Sequence, residues 1–167
     1  MKAKATIFIL FVTLLSCRKD NSPNIVLNGT LTDCPASSSC AYNYYDNADF
    51  TSDNQVVKGS FRLFLFKSVS VNTCGPTSQF SFKTSLGNND FDINSNQIAS
   101  GQIVAYDIIC PCCYSDFVTK PIGGEIKGKR TDATHWLLNA SIIFGVPNGN
   151  PVDTLVVNQY FTLTALP

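Results

Sequence analysis

Apolar and polar residues alternate along much of this chain, and the alternation predicts β-strands. In residues 79–86 and 153–166, every second side chain is apolar or bulky and the ones between are mostly polar. A period of two residues is typical of a strand with one buried face. The predicted strands cover residues 25–31, 55–72, 79–86, 91–93, 97–109, 124–129, 135–144 and 153–166.

The turns between these strands suggest how they are arranged. Residues 87–89, Gly-Asn-Asn, predict a hairpin between residues 79–86 and the segment around Phe91. The last three strands are joined by short turns, which favours an antiparallel meander. Residues 55–72 are apolar on both faces, so we expect a central strand covered on two sides, or one that bends between sheets.

These elements predict an all-β fold. The expected architecture is an antiparallel two-sheet β-sandwich of seven to nine strands, stapled by disulfides, with a small β-barrel as the alternative. Composition agrees, because the chain has a single Glu and its single Met is the initiator, whereas strand-favouring Phe and Tyr are abundant. An immunoglobulin-like domain is not supported, because Trp136 lies after all the cysteines.

The first seventeen residues follow a different pattern. Lys2 and Lys4 form a short cationic start, residues 5–15 are an apolar run, and Leu-Leu-Ser-Cys ends at Cys17. The run is too short to cross a bilayer, which takes about 20 residues. Ser16 at the last position before Cys17 and Leu14 two residues earlier do not form the Ala-x-Ala pattern of a plain secretory signal, which is the alternative.

This stretch resembles a bacterial lipoprotein signal peptide with its lipobox. The resemblance implies cleavage before Cys17 and attachment of lipid, including palmitate, to that residue. It divides the chain into a signal peptide (residues 1–16), a lipidated tether (17–24) and a single β domain (25–167). The implied location is the bacterial cell envelope, with the outer membrane as the expected site and the membrane as a partner through Cys17.

The charge of the mature chain excludes one class of partner. From Cys17 to Pro167 the chain has ten basic and twelve acidic residues, a net charge of −2. Nucleic-acid binding usually requires a clustered basic face. No nucleic-acid partner is therefore expected.

The cysteines form the densest chemical pattern. Setting Cys17 aside leaves six of the seven, and an even number in an exported domain predicts up to three disulfides. We expect Cys34 to pair with Cys40, and Cys74 to pair within the cluster that starts at Cys110. Metal binding or thiol redox chemistry at the Cys110–Cys113 spacing is the alternative. The six predicted disulfide residues are Cys34, Cys40, Cys74, Cys110, Cys112 and Cys113.

Other polar groups give weaker signals. His135 is the single histidine and could act as a base or ligand beside Ser141 and Asp153, but no Gly-x-Ser-x-Gly turn holds a nucleophile, so we expect a strand-edge histidine. Oxygen-bearing residues alternate over 90–96 but depart from a calcium loop, and a second acidic loop covers 46–53. We predict no metal and no cofactor.

Aromatic residues near polar loops form the candidate ligand surface. Tyr42, Tyr44 and Trp136 could contact a ligand or glycan, although ordinary core packing is the alternative.

The sequence as a whole predicts a non-enzymatic, lipid-anchored binding or structural protein with an envelope protein or glycan as partner. The alternatives are an envelope hydrolase or thiol redox enzyme using His135 or the Cys110–Cys113 region, and a carrier with an unfilled barrel interior.

Overall fold

The computed structural model describes residues 27, 29–72, 74–110, 119–146 and 149–167. Within these residues the chain forms nine strands and one short helix. No helix in this described part is long and apolar enough to cross a bilayer. The elements are β1 Ser38–Phe50, β2 Val56–Lys58, β3 Phe61–Ser70, β4 Thr77–Thr84, β5 Phe91–Ile93, α1 Ser95–Ala99, β6 Val104–Ile109, β7 Lys120–Arg130, β8 His135–Gly145 and β9 Pro151–Leu163.

The strands form a single hydrogen-bonded sheet in the order β5-β7-β8-β9-β1-β3-β4-β6, with β2 added to β1. The predicted all-β class and number of strands are confirmed. The two separate sheets of a sandwich are not, because β1 pairs with β3 on one side and with β9 on the other. The β1–β9 pairing is parallel, with Asn43 opposite Thr162 and Tyr44 opposite Leu163, and it joins the two halves of the sheet.

The sheet curls into a half-barrel, so that its two halves face each other. Phe64 of β3 lies 5.8 Å from Trp136 of β8, between ring centroids. Tyr106 of β6 lies 4.1 Å from Phe144 of β8. These ring contacts connect strands that are not neighbours in the sheet, and one core therefore fills the space between the halves.

Alternation along the strands explains which side chains fill the core. In β8, exposed fractions alternate between intermediate and buried from His135 to Phe144, as the pleat requires. The two-residue period read from the sequence therefore identifies the inner face. The largest inward side chains are Tyr44, Phe64, Phe82, Trp136, Phe144 and Phe161.

A second, smaller cluster lies on the opposite face of β3. Leu63 and Leu65 pack there with Tyr45 and Ala48 of β1, while Phe64 and Phe66 face the main core. Gly59 makes this close packing feasible, because a Cβ at that position would overlap the backbone of Ala48. The single strand expected over 55–72 is divided into β2 and β3, and the expected cover on both faces is confirmed for β3.

The predicted meander is confirmed, but the predicted hairpin is wrong. β7 pairs with β8 and β8 with β9, all antiparallel. β5 pairs with β7 rather than with β4. A Cβ at Gly128 would overlap the ring of Phe91, so the bare glycine backbone lets Phe91 pack on β7.

Two strand boundaries also differ from the prediction. The expected strand over 97–109 begins as α1, because Asn94 and Gln97 form a reciprocal capping box, and β6 starts only at Val104. The expected polar turn over 46–54 begins late, since β1 continues to Phe50.

The segment predicted as a first strand is an irregular stretch beside β9 where the structure describes it. The backbone N–H of Thr32 donates to the carbonyl of Asn158 at 2.8 Å. The Asn158 amide Nδ2 donates to the carbonyl of Thr30 at 2.9 Å. These bonds hold the entry of the domain against the middle of β9.

Candidate functional site

The four cysteines that the structure describes are all disulfide-bonded. Cys34 and Cys40 form a disulfide, as predicted. Cys74 and Cys110 are also disulfide-bonded, and the Cys110 sulfur lies 3.9 Å from the carbonyl oxygen of Cys74. Cys112 and Cys113, like Cys17, lie outside the described residues.

Strand pairing explains why Cys74 and Cys110 lie close together. Thr77, at the start of β4, is opposite Ile109, at the end of β6. The residues just before β4 and just after β6 therefore lie at the same end of this strand pair. That Cys74 pairs within the cluster that starts at Cys110 stays a prediction.

Two of the three residues predicted to form an aromatic ligand surface are not on the surface. Tyr44 and Trp136 are each 1% exposed and belong to the main core. Tyr42 is partly buried, and its ring stacks on Phe66 with centroids 5.2 Å apart. Burial, assisted by the charge of Asp33, raises the pKa of the Tyr42 hydroxyl. Core packing, the alternative reading, accounts for Tyr44 and Trp136.

A buried charge among these aromatics was missed by sequence reasoning. Arg62 is 4% exposed and donates from Nε and Nη2 to the Asp46 carboxylate at 2.6 and 3.1 Å. Its Nη1 donates to the carbonyl of Gly87 at 2.6 Å. The two-residue period could have located it, because Arg62 shares the parity of Phe64 on the inner face.

The Arg62 guanidinium also lies over two ring faces. Its Cζ is 4.9 Å from the Trp136 ring centroid and 5.6 Å from that of Tyr44, and both rings stabilise the cation. The Trp136 indole Nε1 is buried without a hydrogen-bond partner. Because all three nitrogens of Arg62 already donate to Asp46 or Gly87, this cluster is a structural ion pair rather than a reaction centre.

His135 is bound by its own turn. Its Nδ1 lies 3.0 Å from both carboxylate oxygens of Asp132 and 3.1 Å from the Thr134 hydroxyl. The Thr134 backbone N–H, followed by His135, lowers the pKa of Asp132. Ser141 lies six residues farther along β8, about 20 Å away at strand rise. The suggested neighbour Asp153 pairs with Phe144, so the structure does not assemble these residues into a triad.

Residues of the two loops considered as calcium sites, 46–53 and 90–96, have other contacts in the structure. Asp46 pairs with Arg62, and Asp49 pairs with Lys83 at 2.9 Å between Oδ1 and Nζ. In the alternating 90–96 segment, Asn94 caps α1. The described residues contain no group of three or more side chains of the metal-binding types placed to hold an ion.

A cavity of about 290 Å³ lies where the end of β4 faces β5 and α1. We call it the edge pocket, since it borders the side on which the curled sheet is not closed by strand pairing in the described residues. Its walls are mainly apolar, with a few polar groups at the rim. It is lined by Phe61, Lys83, Thr84, Ser85, Phe91, Asp92, Ile93, Gln97 and Ile103.

The basic group of the edge pocket is held in place. Besides Asp49, Lys83 Nζ contacts the rings of Phe50 and Phe61, at 4.7 and 4.8 Å from their centroids. The Lys83 backbone N–H donates to the carbonyl of Ile103 at 2.9 Å, which fixes the pocket wall. Because Asp49 neutralises Lys83, the pocket suits an apolar group more than a free anion.

Exposed apolar side chains also lie on the outer face of β9. Val152, Val156 and Tyr160 are exposed, at 54%, 53% and 44%. Sequence reasoning placed Val156 and Tyr160 on one face of a strand but did not single them out, and it left Val152 outside that strand. Comparisons with protein-family models, curated protein sequences and solved structures found no match for this chain.

Proposed function

We propose that this chain is a lipid-anchored protein of the bacterial cell envelope, in the outer membrane, whose β domain binds a partner rather than catalysing a reaction. The edge pocket is the recognition site. It receives an apolar group about the size of an aromatic side chain, presented by an envelope partner.

Two independent features support the location. The Met1–Cys17 stretch resembles a lipoprotein signal, and its lipid would hold the domain on the membrane. Cys34, Cys40, Cys74 and Cys110 are disulfide-bonded. Disulfides persist in the oxidising compartments outside the cytoplasm, which is where an exported lipoprotein resides.

The observation that carries the binding role is the edge pocket itself. At about 290 Å³ it is near the lower limit of small-ligand sites, which combine apolar walls with a few polar groups. In the described residues, aromatic side chains pack between the two halves of the half-barrel. The carrier alternative, which needs an open interior, is therefore disfavoured.

The anchor is tested by labelling cells with radioactive palmitate. We expect label in the wild-type chain and none in Cys17→Ala, which should move from the membrane to the soluble fraction. Cys34→Ala is a matched cysteine control that keeps the label. An unlabelled wild-type chain, or a Cys17→Ala chain still on the membrane, would contradict the proposal.

The pocket is tested with the neutral aromatic probe N-phenylnaphthylamine, whose fluorescence rises in apolar sites. Ile103→Trp should fill the pocket and weaken probe binding about tenfold, equivalent to about 1.4 kcal/mol. Ile108→Trp adds the same ring at an exposed position of β6 outside the pocket and should leave binding unchanged. Equal binding by both variants would place the probe elsewhere and overturn the pocket assignment.

A further inference from the structure

One face of the sheet combines exposed apolar side chains with lysines. On β9, Val152, Val156 and Tyr160 project to the outer face, while Val157 and Phe161 point into the core. Thr154 and the buried Asn158 separate these three residues along the strand. Large apolar side chains that stay exposed on a folded domain are typical of an interaction surface.

The register extends this face across the neighbouring strands. Tyr160 is opposite Leu137 of β8, and Leu137 is opposite Lys129 of β7. Lys127, two residues before Lys129, lies on the same side of β7 and pairs with Glu125 at 2.7 Å. Lys129 is exposed. We call the surface formed by Lys127, Lys129, Leu137, Val152, Val156 and Tyr160 the outer β9 face.

The chain enters the domain beside this face. Thr30 and Thr32 are hydrogen-bonded to Asn158, between Val156 and Tyr160 in sequence. Twelve residues separate Cys17 from Thr30, a reach of about 40 Å even at full extension. A lipid at Cys17 would therefore restrain the domain through β9, on the side that carries the apolar residues.

We propose that the outer β9 face lies against the phospholipid bilayer. This proposal rests on the lipid anchor proposed above. Val152, Val156 and Tyr160 contact the interfacial region, where tyrosine is favoured because its ring is apolar and its hydroxyl is polar. Lys129 lies beside anionic headgroups, whereas Lys127 is paired with Glu125 and is opposite Asp92. The anchor keeps the face at high local concentration near the surface, so a weak contact is enough to orient the domain.

This orientation has a consequence for recognition. One residue of the edge pocket, Asp92 of β5, is opposite Lys127 of the outer β9 face. With β9 on the bilayer, the pocket therefore lies at the border of the contact, where a partner close to the headgroups would reach it.

The experiment uses the full lipidated chain in vesicles of phosphatidylethanolamine with a minority of phosphatidylglycerol. The photoreactive residue p-benzoylphenylalanine replaces Tyr160 in one variant and Val57, exposed on β2, in the control. After illumination we expect several-fold more phospholipid crosslinked to the position-160 variant. Replacing phosphatidylglycerol by phosphatidylcholine should reduce this excess, since the headgroups then carry no net negative charge.

The outcomes separate the two proposals. Failure of the chain to sediment with the vesicles would refute the anchor itself. Sedimentation with equal lipid crosslinking at the two positions would refute the orientation and leave the anchor intact. Crosslinking of position 160 mainly to a second copy of the chain would show that the outer β9 face is a protein interface, and would also overturn the orientation.

Discussion

The guanidinium of Arg62 lies between the carboxylate of Asp46 and the ring face of Trp136, with its Cζ 4.9 Å from the ring centroid. Arg62 is almost completely buried, whereas the Asp46 side chain is 35% exposed. The two partners of this ion pair therefore depend on it to different extents. Loss of Asp46 would leave a buried cation, and loss of Arg62 would leave a carboxylate that water can reach.

This asymmetry gives the first prediction. Asp46→Ala should lower the free energy of unfolding by about 3 kcal/mol, because it leaves Arg62 buried without its counter-ion. Arg62→Met keeps an unbranched apolar stem in place and should cost less than about 1.5 kcal/mol. Urea unfolding followed by Trp136 fluorescence measures both. A larger loss for Arg62→Met than for Asp46→Ala would show that the buried charge is not what makes the pair necessary.

The second prediction compares two glycines with positive φ. Gly124 in β7 has φ +122°, and a Cβ there would overlap the carbonyl oxygen of Ser141. Gly101 has φ +68°, with open space around the Cβ position. Gly124→Ala should therefore destabilise by about 3 kcal/mol or more, whereas Gly101→Ala should cost about 1–2 kcal/mol. Thermal unfolding compares the two variants, and equal midpoints would refute the proposed clash in β7.

The third prediction concerns the disulfide that closes the loop before β1. Cys34→Ala/Cys40→Ala should lower the free energy of unfolding by about 2 kcal/mol, since the bridge restricts the unfolded chain across a separation of 6 residues. Urea titrations of the oxidised proteins measure this loss. Adding reductant to the double variant should destabilise it further, because Cys74 and Cys110 are also disulfide-bonded. An unchanged midpoint for the double variant would contradict the prediction.

The fourth prediction concerns Tyr106, which stacks on Phe144 across the open side of the sheet. Burial, with the charges of Asp153 and Asp107, raises the pKa of Tyr106 to about 12. The pKa of Tyr106 in the folded chain lies above its value in the unfolded chain. Its contribution to the free energy of unfolding is therefore fully present below pH 10 and is lost as the pH rises through 12.

Tyr106→Phe provides the measurement, because phenylalanine cannot ionise. Between pH 10 and pH 12 the wild type should lose stability and the variant should not, so the difference in the free energy of unfolding should move by about 1 kcal/mol in favour of the variant. This is less than the full pKa shift implies, because the Tyr106 ring is only partly buried and water screens its charge. Urea unfolding at several pH values tests this. A constant difference between the two proteins would mean that Tyr106 titrates equally in the folded and unfolded chains.

Local patterns predicted more of this molecule than long-range ones did. The inner residues Trp136, Leu138, Ala140 and Ile142 follow the two-residue period of β8, and all four are buried. Trp136 was nevertheless predicted as a candidate ligand residue, although its position in this period places it on the core face, where it is 1% exposed. Alternation identifies a face of a strand but not the neighbour that covers it.

Pairing between distant strands was not predictable in the same way. The Gly-Asn-Asn turn at residues 87–89 is a sound local hairpin signal, yet β5 joins β7 because Gly128 leaves room for the Phe91 ring. The edge pocket results from this choice, since it lies between β5 and the end of β4. Neither strand alone carries a pattern that indicates a cavity.

The parallel contact between β1 and β9 has a consequence for biogenesis. It joins residues 43–44 to residues 162–163, nearly the full length of the described chain apart. During synthesis, the edge of β1 that β9 covers has no β9 to pair with until residues 151–163 emerge, and topologies with such distant contacts fold slowly. The two halves of the sheet can therefore be joined only after β9 has been made.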